Sequence, residues 1–377
     1  MEPIPLGNHP PDDPSLMLWL ETMQPWLHAR DELAERVVGE LRGRRGSMGD
    51  PGQGLQRLAD EGHPASQALL TEMSCVPDWV DFDVMRLGGA MAQRHFPMLV
   101  LALTYGCMPL TFANPDAAAV FARTGRMEAN ISRRLNESGT LFFGVCNSDE
   151  LAPGKSMWAA CVQVRLIHAM VRMHLLDKGW DVARRGIPIS QLATAAGPAF
   201  FGTHLLTCLR RLGAQFSDDE ARGHCMIWRH VTYLLGVPEA LIGKTQTQQD
   251  EFDRHISNSF FAPDETARSV MAALIEGLGT LPPTARIPRS FQLALLRRML
   301  GDAAADAYGI PKSLMGESLL NAALPLLSGY GRLTTWPVLA GPLRRSGQRI
   351  LQRLSMEGLV KLDVAGTPGD HGAKPSP

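Results

Sequence analysis

The chain has 377 residues, a formal net charge of −1 and 45% hydrophobic residues. This length suits one large domain or two modest ones. The balanced charge argues against a nucleic-acid-binding protein, which typically carries a basic face. The six cysteines are scattered and form no CxxC or CxxCH sequence, so a zinc ribbon and a covalently attached haem have no support. We expect reduced, buried thiols in a cytoplasmic protein.

The N-terminal segment does not have the pattern of a secretory signal. Residues 1–15 are rich in Pro and Asp and lack the basic start and apolar core of a secretory signal. The longest apolar stretch, Phe96–Phe112, is interrupted by Gly106 and Pro109 and predicts a buried helix rather than a transmembrane segment. We leave peripheral membrane contact open, although no sequence feature argues for it.

Helical patterns dominate the chain, whereas alternating β-branched runs hardly occur. In chain order, we predict helices over Leu16–Leu41, Pro64–Met73, Asp83–Leu103, Asp116–Leu135, Lys155–Lys178, Ser190–Leu212, Ser217–Leu235, Pro263–Gly277, Ser290–Gly301 and Pro342–Leu354. The fold class is therefore all-α: a single large helical domain over residues 16–362, globin-like in packing style only. Residues 1–15 and 363–377 are predicted to be disordered.

Several of these helices carry end signals. Asn114-Pro115 suits a helix start, and Ser217 with Glu220 forms a capping box. Gly179, Gly213 and Gly236 follow the predicted ends of three helices. The pair Gly88-Gly89 indicates a close contact between helices. Pro342 suits the first position of a helix.

One helix carries a histidine between two arginines. Arg165, His168 and Arg172 are spaced i−3, i and i+4, so they share one face of an otherwise apolar helix. Burial and nearby cations both favour a neutral imidazole, which can bind a metal. The arginines suit an anionic cofactor periphery such as haem propionates. The structural alternative, which the local pattern favours, is a core histidine with two arginines that extend to solvent.

Two other segments carry candidate site residues. Arg134 and Ser138, at i and i+4, are placed to face a polar ligand such as dioxygen; the alternative is a solvated helix end where Arg134 and Glu137 form a weak pair. Trp228 and Tyr233 either line a flat cofactor or belong to the core. For His230 nearby, we favour a core position over a second metal ligand. Cys161 precedes His168 by about two helical turns, roughly 10 Å of rise, too far for a direct thiolate–imidazole pair.

Taken together and in order, these segments resemble a known superfamily. The sequence elements that carry the resemblance are Asn114-Pro115, Thr124-Gly125, Arg134-Leu135-x-x-Ser138, Val164-Arg165-x-x-His168-Ala169-x-Val171-Arg172, Trp180, Gly186-Ile187-Pro188-Ile189, Leu212-Gly213, Ser217-x-x-Glu220, Trp228-Arg229-x-x-x-Tyr233-x-Leu235-Gly236-Val237, Ile287-Pro288 and Leu300-Gly301. Over residues 80 to 310 the chain resembles the bacterial latex-clearing proteins (rubber oxygenases) and the fungal endoplasmic-reticulum-bound oxygenase of mycophenolic acid synthesis.

The resemblance implies an all-α fold around one non-covalent haem b, with His168 as the proximal iron ligand. It places Arg134 and Ser138 on the distal side that binds dioxygen, with Thr140 as the hydroxyl residue if the register shifts by two. From the residues themselves we expect Arg165, Arg172, Trp228 and Tyr233 to contact this cofactor.

The chain departs from the family pattern at two positions. Glu137 stands where rubber oxygenases have a lysine next to the distal hydroxyl residue, and Ala118 stands where they have a carboxylate; Asp116 is close but out of register. We therefore expect a haem-dependent oxygenase that acts on a C=C bond of a hydrophobic, isoprenoid or lipid, substrate inside the cell. The alternative is a non-catalytic haem- or lipid-binding helical protein. The sequence leaves the oligomeric state open.

Overall fold

The computed structural model describes residues 14–44, 50–124, 139–279 and 284–364, and in these ranges it contains helices and turns with no strand. One large hydrophobic core runs from Ala34 in the first part of the chain to Leu351 near its end, with two smaller clusters beside it. The predicted all-α, single-domain fold is confirmed. The predicted disordered ends fall almost wholly outside the described residues.

Eighteen helices of the described residues are labelled here in chain order. They are α1 Pro14–Leu27, α2 Glu32–Gly43, α3 Pro51–Asp60, α4 Pro64–Ser74, α5 Phe82–Arg94, α6 Phe96–Leu110, α7 Pro115–Arg123, α8 139–144, α9 Ser156–Asp177, α10 Val182–Arg185, α11 Gln191–Arg211, α12 Asp218–Leu234, α13 Gln246–Phe260, α14 Glu265–Leu278, α15 Arg289–Leu300, α16 Asp302–Ala307, α17 Leu314–Leu333 and α18 Pro337–Val364. Helices α6 and α11 each contain a π-helical turn, at Leu103–Cys107 and Pro198–His204.

The end signals read from the sequence are confirmed. Ser217 and Glu220 form the capping box of α12, and the Asn114 side chain accepts hydrogen bonds from the first backbone amides of α7. Gly179, Gly213 and Gly236 adopt left-handed φ values of 76°, 90° and 87°, which glycine reaches without steric cost. These positions therefore end α9, α11 and α12 where the sequence predicted.

Two helices that the sequence predicts as continuous are each divided into two in the structure, so their predicted bounds were wrong. Leu16–Leu41 divides into α1 and α2, because Asp31 starts a new helix by accepting a bond from the Ala34 amide. Asp83–Leu103 divides at His95 into α5 and α6. Pro97 stands at the second position of α6, where the missing N–H is harmless but a continuous helix would clash with the proline ring.

The C-terminal half contains helices that the sequence did not predict. Helix α13 is rich in Gln, Asp and Ser, so its apolar residues are too few for the periodicity to indicate it. Helices α16 and α17 were also missed. The predicted start of the last helix at Pro342 was wrong, since α18 begins at Pro337 and Pro342 lies inside it. Pro337 occupies the first position that suits proline.

The predicted close approach at Gly88-Gly89 is confirmed and brings α5 against α12. A Cβ added to Gly88 would lie 2.1 Å from the backbone nitrogen of His224, and one added to Gly89 would lie 2.6 Å from the Cys146 carbonyl oxygen. Glycine lets the two helix backbones touch without side chains between them. This contact supports the middle of the helical core.

Two apolar helix segments pass a length and composition test for membrane spans. Helix α11 is one, and 78% of its apolar window is buried inside the protein. The other is the pair α6 and α7, which is bent by 99° at its break. Met98, Leu99 and Ala102 of α6 are fully buried in the core, in agreement with the buried helix predicted for Phe96–Phe112.

Candidate functional site

His168 lies in the middle of α9, which has neighbours on most of its surface. The helix packs against α2, α3 and α12, and Cys161, Leu166 and Ala169 have no exposed surface. His168 itself is half-buried. The helix therefore presents the imidazole from a rigid support rather than from a loop.

Arg165 forms a buried ion-pair cluster one turn before His168. Its Nε lies 2.6 Å from Asp31 Oδ2, its Nη2 lies 3.1 Å from Asp31 Oδ1, and its Nη1 lies 2.8 Å from Glu72 Oε1. Burial by itself would lower the pKa of this guanidinium, but the bonds that it donates to Asp31 and Glu72 outweigh burial and raise the pKa. Gly236 closes the cluster, because a Cβ there would lie 2.4 Å from Arg165 Nε.

Arg172 forms a second buried cluster one turn after His168. Its Nη1 lies 3.1 Å from Glu35 Oε1, and its Nη2 donates to the Ile189 carbonyl at 2.7 Å. Its Nε is shared between the carbonyls of Pro188 and Ile189, each at 3.2 Å. Burial lowers the pKa of Arg172, and Glu35 opposes that shift. Ile189 has a left-handed φ of 51°, costly for a β-branched residue, and the Arg172 bonds stabilise it.

These clusters change the interpretation of both arginines. Each side chain is only 3% exposed, so the alternative in which they extend to solvent is wrong. Their positive charges are also paired with carboxylates, so His168 does not stand between two uncompensated cations. Their contact with cofactor propionates stays a prediction; the bonds in the structure tie α9 to α2, to Glu72 of α4 and to the loop at Ile189.

Most of the predicted distal residues lie outside the described residues. Arg134, Glu137 and Ser138 belong to the range 125–138, which the structure does not describe. Thr140 is described: it is 1% exposed on α8, and its carbonyl accepts a bond from Ser355 Oγ of α18 at 2.9 Å. Helix α18 therefore braces the helix that follows the predicted distal segment.

The upstream position at which the resemblance predicts a carboxylate is apolar and closed. Ala118 has no exposed surface on α7. Asp116, two residues earlier, accepts a bond from Arg185 Nη1 at 3.0 Å. Burial raises the pKa of Asp116, and Arg185 opposes that shift. Asp116 is therefore occupied by a structural ion pair.

Trp228 and Tyr233 lie on α12 but belong to different surroundings. The Trp228 ring is 3% exposed and packs on Phe201 and Phe142, with centroids 4.8 and 5.6 Å away. Tyr233 lies beside Trp79 at 6.4 Å, and its hydroxyl donates to the Glu72 carbonyl at 3.4 Å. The structure thus places Trp228 next to α8 and Tyr233 next to the Arg165 cluster, without bringing the two rings together.

Burial lowers the pKa of four histidines in the core: His95, His224 and His230 to about 4, and His204 to about 3. His95 and His224 each place Nε2 2.9 Å from a backbone carbonyl, and His204 contacts Cys208 Sγ at 3.3 Å. His230 packs against aromatic rings, as the core interpretation predicts.

His168 offers a single imidazole as a candidate metal donor. Among the described residues, no group of three or more His, Cys, Asp or Glu side chains could hold a metal ion. Haem requires one axial ligand from the protein, since the porphyrin provides four nitrogens. The single imidazole of His168 on a rigid helix is compatible with that requirement. An aromatic cluster lies elsewhere in the same core.

A cavity of about 240 Å³ lies elsewhere on α9. Phe143, Met157, Leu351 and Ser355 contribute to its lining, so it sits where α8, the start of α9 and α18 meet. Met157 precedes His168 by three helical turns, roughly 16 Å of rise. The cavity is thus separate from His168 but borders the helix that follows the predicted distal segment.

Comparison with known proteins identifies the family. Residues 90–334 match the family described as ER-bound oxygenase mpaB/B′/Rubber oxygenase, catalytic domain. The chain belongs to this family. The matched range includes His168, Arg165, Arg172 and the aromatic cluster of α12. The carboxylate partners Asp31, Glu35 and Glu72 lie before it, and α18 lies beyond it. The resemblance predicted from the ordered segments is confirmed.

Individual relatives agree with this assignment. The rubber oxygenase of Streptomyces sp. (strain K30) is 23% identical over 261 residues, which cover 68% of this chain and 63% of that protein. The chain thus spans less than two thirds of the length of this relative. The structure of Latex Clearing Protein LCP in the closed state superposes with a TM-score of 0.62 at 20% identity, covering 87% of this chain and 91% of that one. This likeness shows a shared fold.

Sequence reasoning missed the acidic partners of the site. Asp31, Glu35 and Glu72 hold the two arginines, yet each lies far from α9 in the chain. The local signal was an Asp at a helix start for Asp31. No local signal indicates which arginine such a residue would meet.

Proposed function

We propose that this protein is a haem b-dependent oxygenase that oxidises or cleaves a C=C bond in a hydrophobic, isoprenoid or lipid, substrate. The observation that carries the proposal is the family match over residues 90–334, which contains His168 at the centre of a helix held by two buried arginine clusters. Haem, when bound, supplies the reactivity toward dioxygen.

His168 is proposed as the proximal ligand of the haem iron. Its position depends on α9, and α9 is tied at Arg165 to Asp31 and at Arg172 to Glu35. These ion pairs are one turn away from His168 in each direction. We therefore assign Arg165 and Arg172 first to the positioning of the imidazole; a contact with propionates is a further proposal for both.

Arg134 and Ser138, or Thr140, are proposed as hydrogen-bond donors on the side where dioxygen reacts. A guanidinium and a hydroxyl can stabilise negative charge as it develops on oxygen. Trp228 with Phe142 and Phe201 is proposed as an apolar wall for the cofactor and substrate. Glu137 is proposed to face the same side, where its carboxylate would make the site differ from that of rubber oxygenases.

A non-catalytic haem- or lipid-binding protein is the second candidate. Two observations favour it over turnover. Ala118 offers no carboxylate at the family position, and Asp116 is already paired with Arg185. Without a base near the substrate, the chain would retain the cofactor but lack a proton acceptor.

The first experiment tests the proximal ligand with a matched control on the same helix. His168→Ala is compared with His174→Ala, which removes an exposed histidine of α9. We expect a Soret band in wild type and in His174→Ala, and loss or displacement of the band in His168→Ala. Added imidazole should restore the wild-type spectrum by replacing the missing ligand. An unchanged spectrum in His168→Ala would refute the assignment.

The second experiment separates the two candidates. Oxygen consumption by the haem-loaded protein is measured with a panel of isoprenoids and unsaturated lipids, and the products are analysed for cleaved C=C bonds. Turnover that is lost in Arg134→Gln supports the oxygenase. Stable haem with no oxygen consumption across the panel supports the binding protein.

We also propose a cytoplasmic location. All six cysteines are free, and five of them are buried, as is usual for a reducing compartment. Cell fractionation followed by thiol labelling of the exposed Cys75 tests this: a disulfide-linked or exported protein would contradict it.

A further inference from the structure

Exposed apolar side chains are concentrated in one short part of the chain. Of the ten exposed large hydrophobic residues among those described, eight lie between residues 314 and 350. The most exposed include Leu326 at 77%, Val338 at 82% and Trp336 at 58%. Soluble proteins rarely leave so many apolar side chains together in water. This surface needs a partner.

The exposed residues of α17 form a continuous stripe. Met315, Leu319, Leu326 and Leu333 are spaced so that they fall on one side of the helix, with Ala322 and Gly329 between them. The opposite side of α17 is packed: a Cβ on Gly316 would lie 1.9 Å from the Ser290 carbonyl, and one on Gly331 would lie 2.1 Å from the Gly213 carbonyl. The stripe is therefore fixed outward by close backbone contacts.

The helix that follows carries a stripe of positive charge. Arg345, Arg349 and Arg353 are spaced i, i+4 and i+8 and are exposed on α18. The opposite side of α18 is packed, since a Cβ on Gly347 would lie 1.7 Å from the Gln93 carbonyl. Leu333, Trp336 and Val338 connect the two stripes at the turn between the helices.

The charge of this region is one-sided. Between Glu317 of α17 and Glu357 of α18, the chain contains five arginines and no other charged residue, although the whole chain has a net charge of −1. Within the described residues none of these arginines forms an ion pair, whereas many other surface arginines do. Their charges are available to an external anionic partner.

We propose that α17, α18 and the turn between them form a peripheral docking surface for an anionic phospholipid membrane. Leucine and tryptophan side chains would enter the interface, and the arginines would lie against the headgroups. A second copy of this chain would place like charges against each other, which disfavours it as the occupant. The surface would hold the protein where hydrophobic lipids are concentrated. The proposal is independent of the oxygenase activity, because binding is measured without turnover.

The test is flotation with vesicles of phosphatidylcholine that contain about 30% phosphatidylglycerol, beside vesicles of phosphatidylcholine alone. Wild type should float with the anionic vesicles, less with the neutral ones, and much less when NaCl rises from about 0.1 M to about 0.5 M. Each arginine near such a surface contributes about fivefold to partitioning. The triple variant Arg345→Gln, Arg349→Gln, Arg353→Gln should therefore bind roughly 100-fold more weakly.

A matched control separates this surface from total charge. Arg36, Arg57 and Arg254 are exposed on α2, α3 and α13 without an ion pair among the described residues, and their triple change to Gln alters the net charge equally. This control should bind like wild type. The double variant Leu326→Ser, Trp336→Ser should lose binding on the order of tenfold or more through its apolar contacts.

Three outcomes would overturn the proposal. The first is that wild type binds neither the anionic nor the neutral vesicles. The second is that the control triple variant loses as much binding as the α18 triple variant. The third is a stable dimer in analytical ultracentrifugation that Leu326→Ser, Trp336→Ser dissociates while vesicle binding is absent. All substituted side chains are exposed, and circular dichroism verifies folding; the salt dependence of wild type tests the proposal without any variant.

Discussion

The buried pair of Arg165 and Asp31 makes the positioning role of α9 measurable. Asp31→Asn keeps the shape of the side chain and its ability to cap α2, but it removes the charge that faces a guanidinium only 3% exposed. Loss of one partner of a buried pair costs about 3–5 kcal/mol. Glu72 remains 2.8 Å away but is 45% exposed, so it compensates little. We expect a loss of about 3 kcal/mol in the free energy of unfolding.

Asp50 provides the matched control. It caps α3 through the amides of Gly52 and Gln53 and has no ion pair among the described residues. Asp50→Asn should therefore lower the free energy of unfolding by less than about 0.5 kcal/mol, since Asn and Asp are equally good helix caps. Asp31→Ala should cost about 1 kcal/mol more than Asp31→Asn, because it also removes the cap.

Scanning calorimetry detects the difference. The unfolding entropy of a chain this long is about 0.8 kcal/mol/K, so 3 kcal/mol lowers the melting temperature by about 4 °C. The same variant should also retain haem less well than wild type, if α9 positions His168. Equal melting temperatures for Asp31→Asn and Asp50→Asn would refute the claim that the cluster stabilises α9.

Two further predictions concern the core. His95, His204, His224 and His230 have pKa values of about 3 to 4 in the folded protein and about 6.5 when unfolded. The unfolded state therefore binds more protons between these values, and the free energy of unfolding falls as the pH drops from 6.5 to 4. Urea unfolding at pH 7 and 5 should show a loss about 2 kcal/mol smaller in His224→Gln than in wild type; an equal loss would contradict the shift. Gly88→Ala should lower the free energy of unfolding by at least about 3 kcal/mol, because its Cβ would meet the α12 backbone. Gly39→Ala, in open space on α2, should raise the free energy of unfolding by about 0.5–1 kcal/mol. Similar effects from both glycine variants would contradict the close contact.

The sequence determined what depends on near neighbours in the chain. Helix α9 was predicted to within one residue at each end, because apolar spacing and a terminal glycine act over a few residues. The capping box of α12 and the glycine contact at Gly88 were local signals of the same kind. The order of these segments was sufficient to predict the family, which the match over residues 90–334 confirms. The sequence failed at α13, where polar composition hid the helix.

Only the tertiary structure decided what Arg165 and Arg172 bind. Arg165 and Asp31 are 134 positions apart, and Arg172 and Glu35 are 137 apart. Helical spacing shows that two side chains share a face, but it does not show which helix packs against that face. The packing of α2 on α9 brings buried carboxylates to both guanidiniums, and burial forces each charge to be paired. The sequence thus identified the face of His168, and the fold determined that its arginines are anchors of the helix.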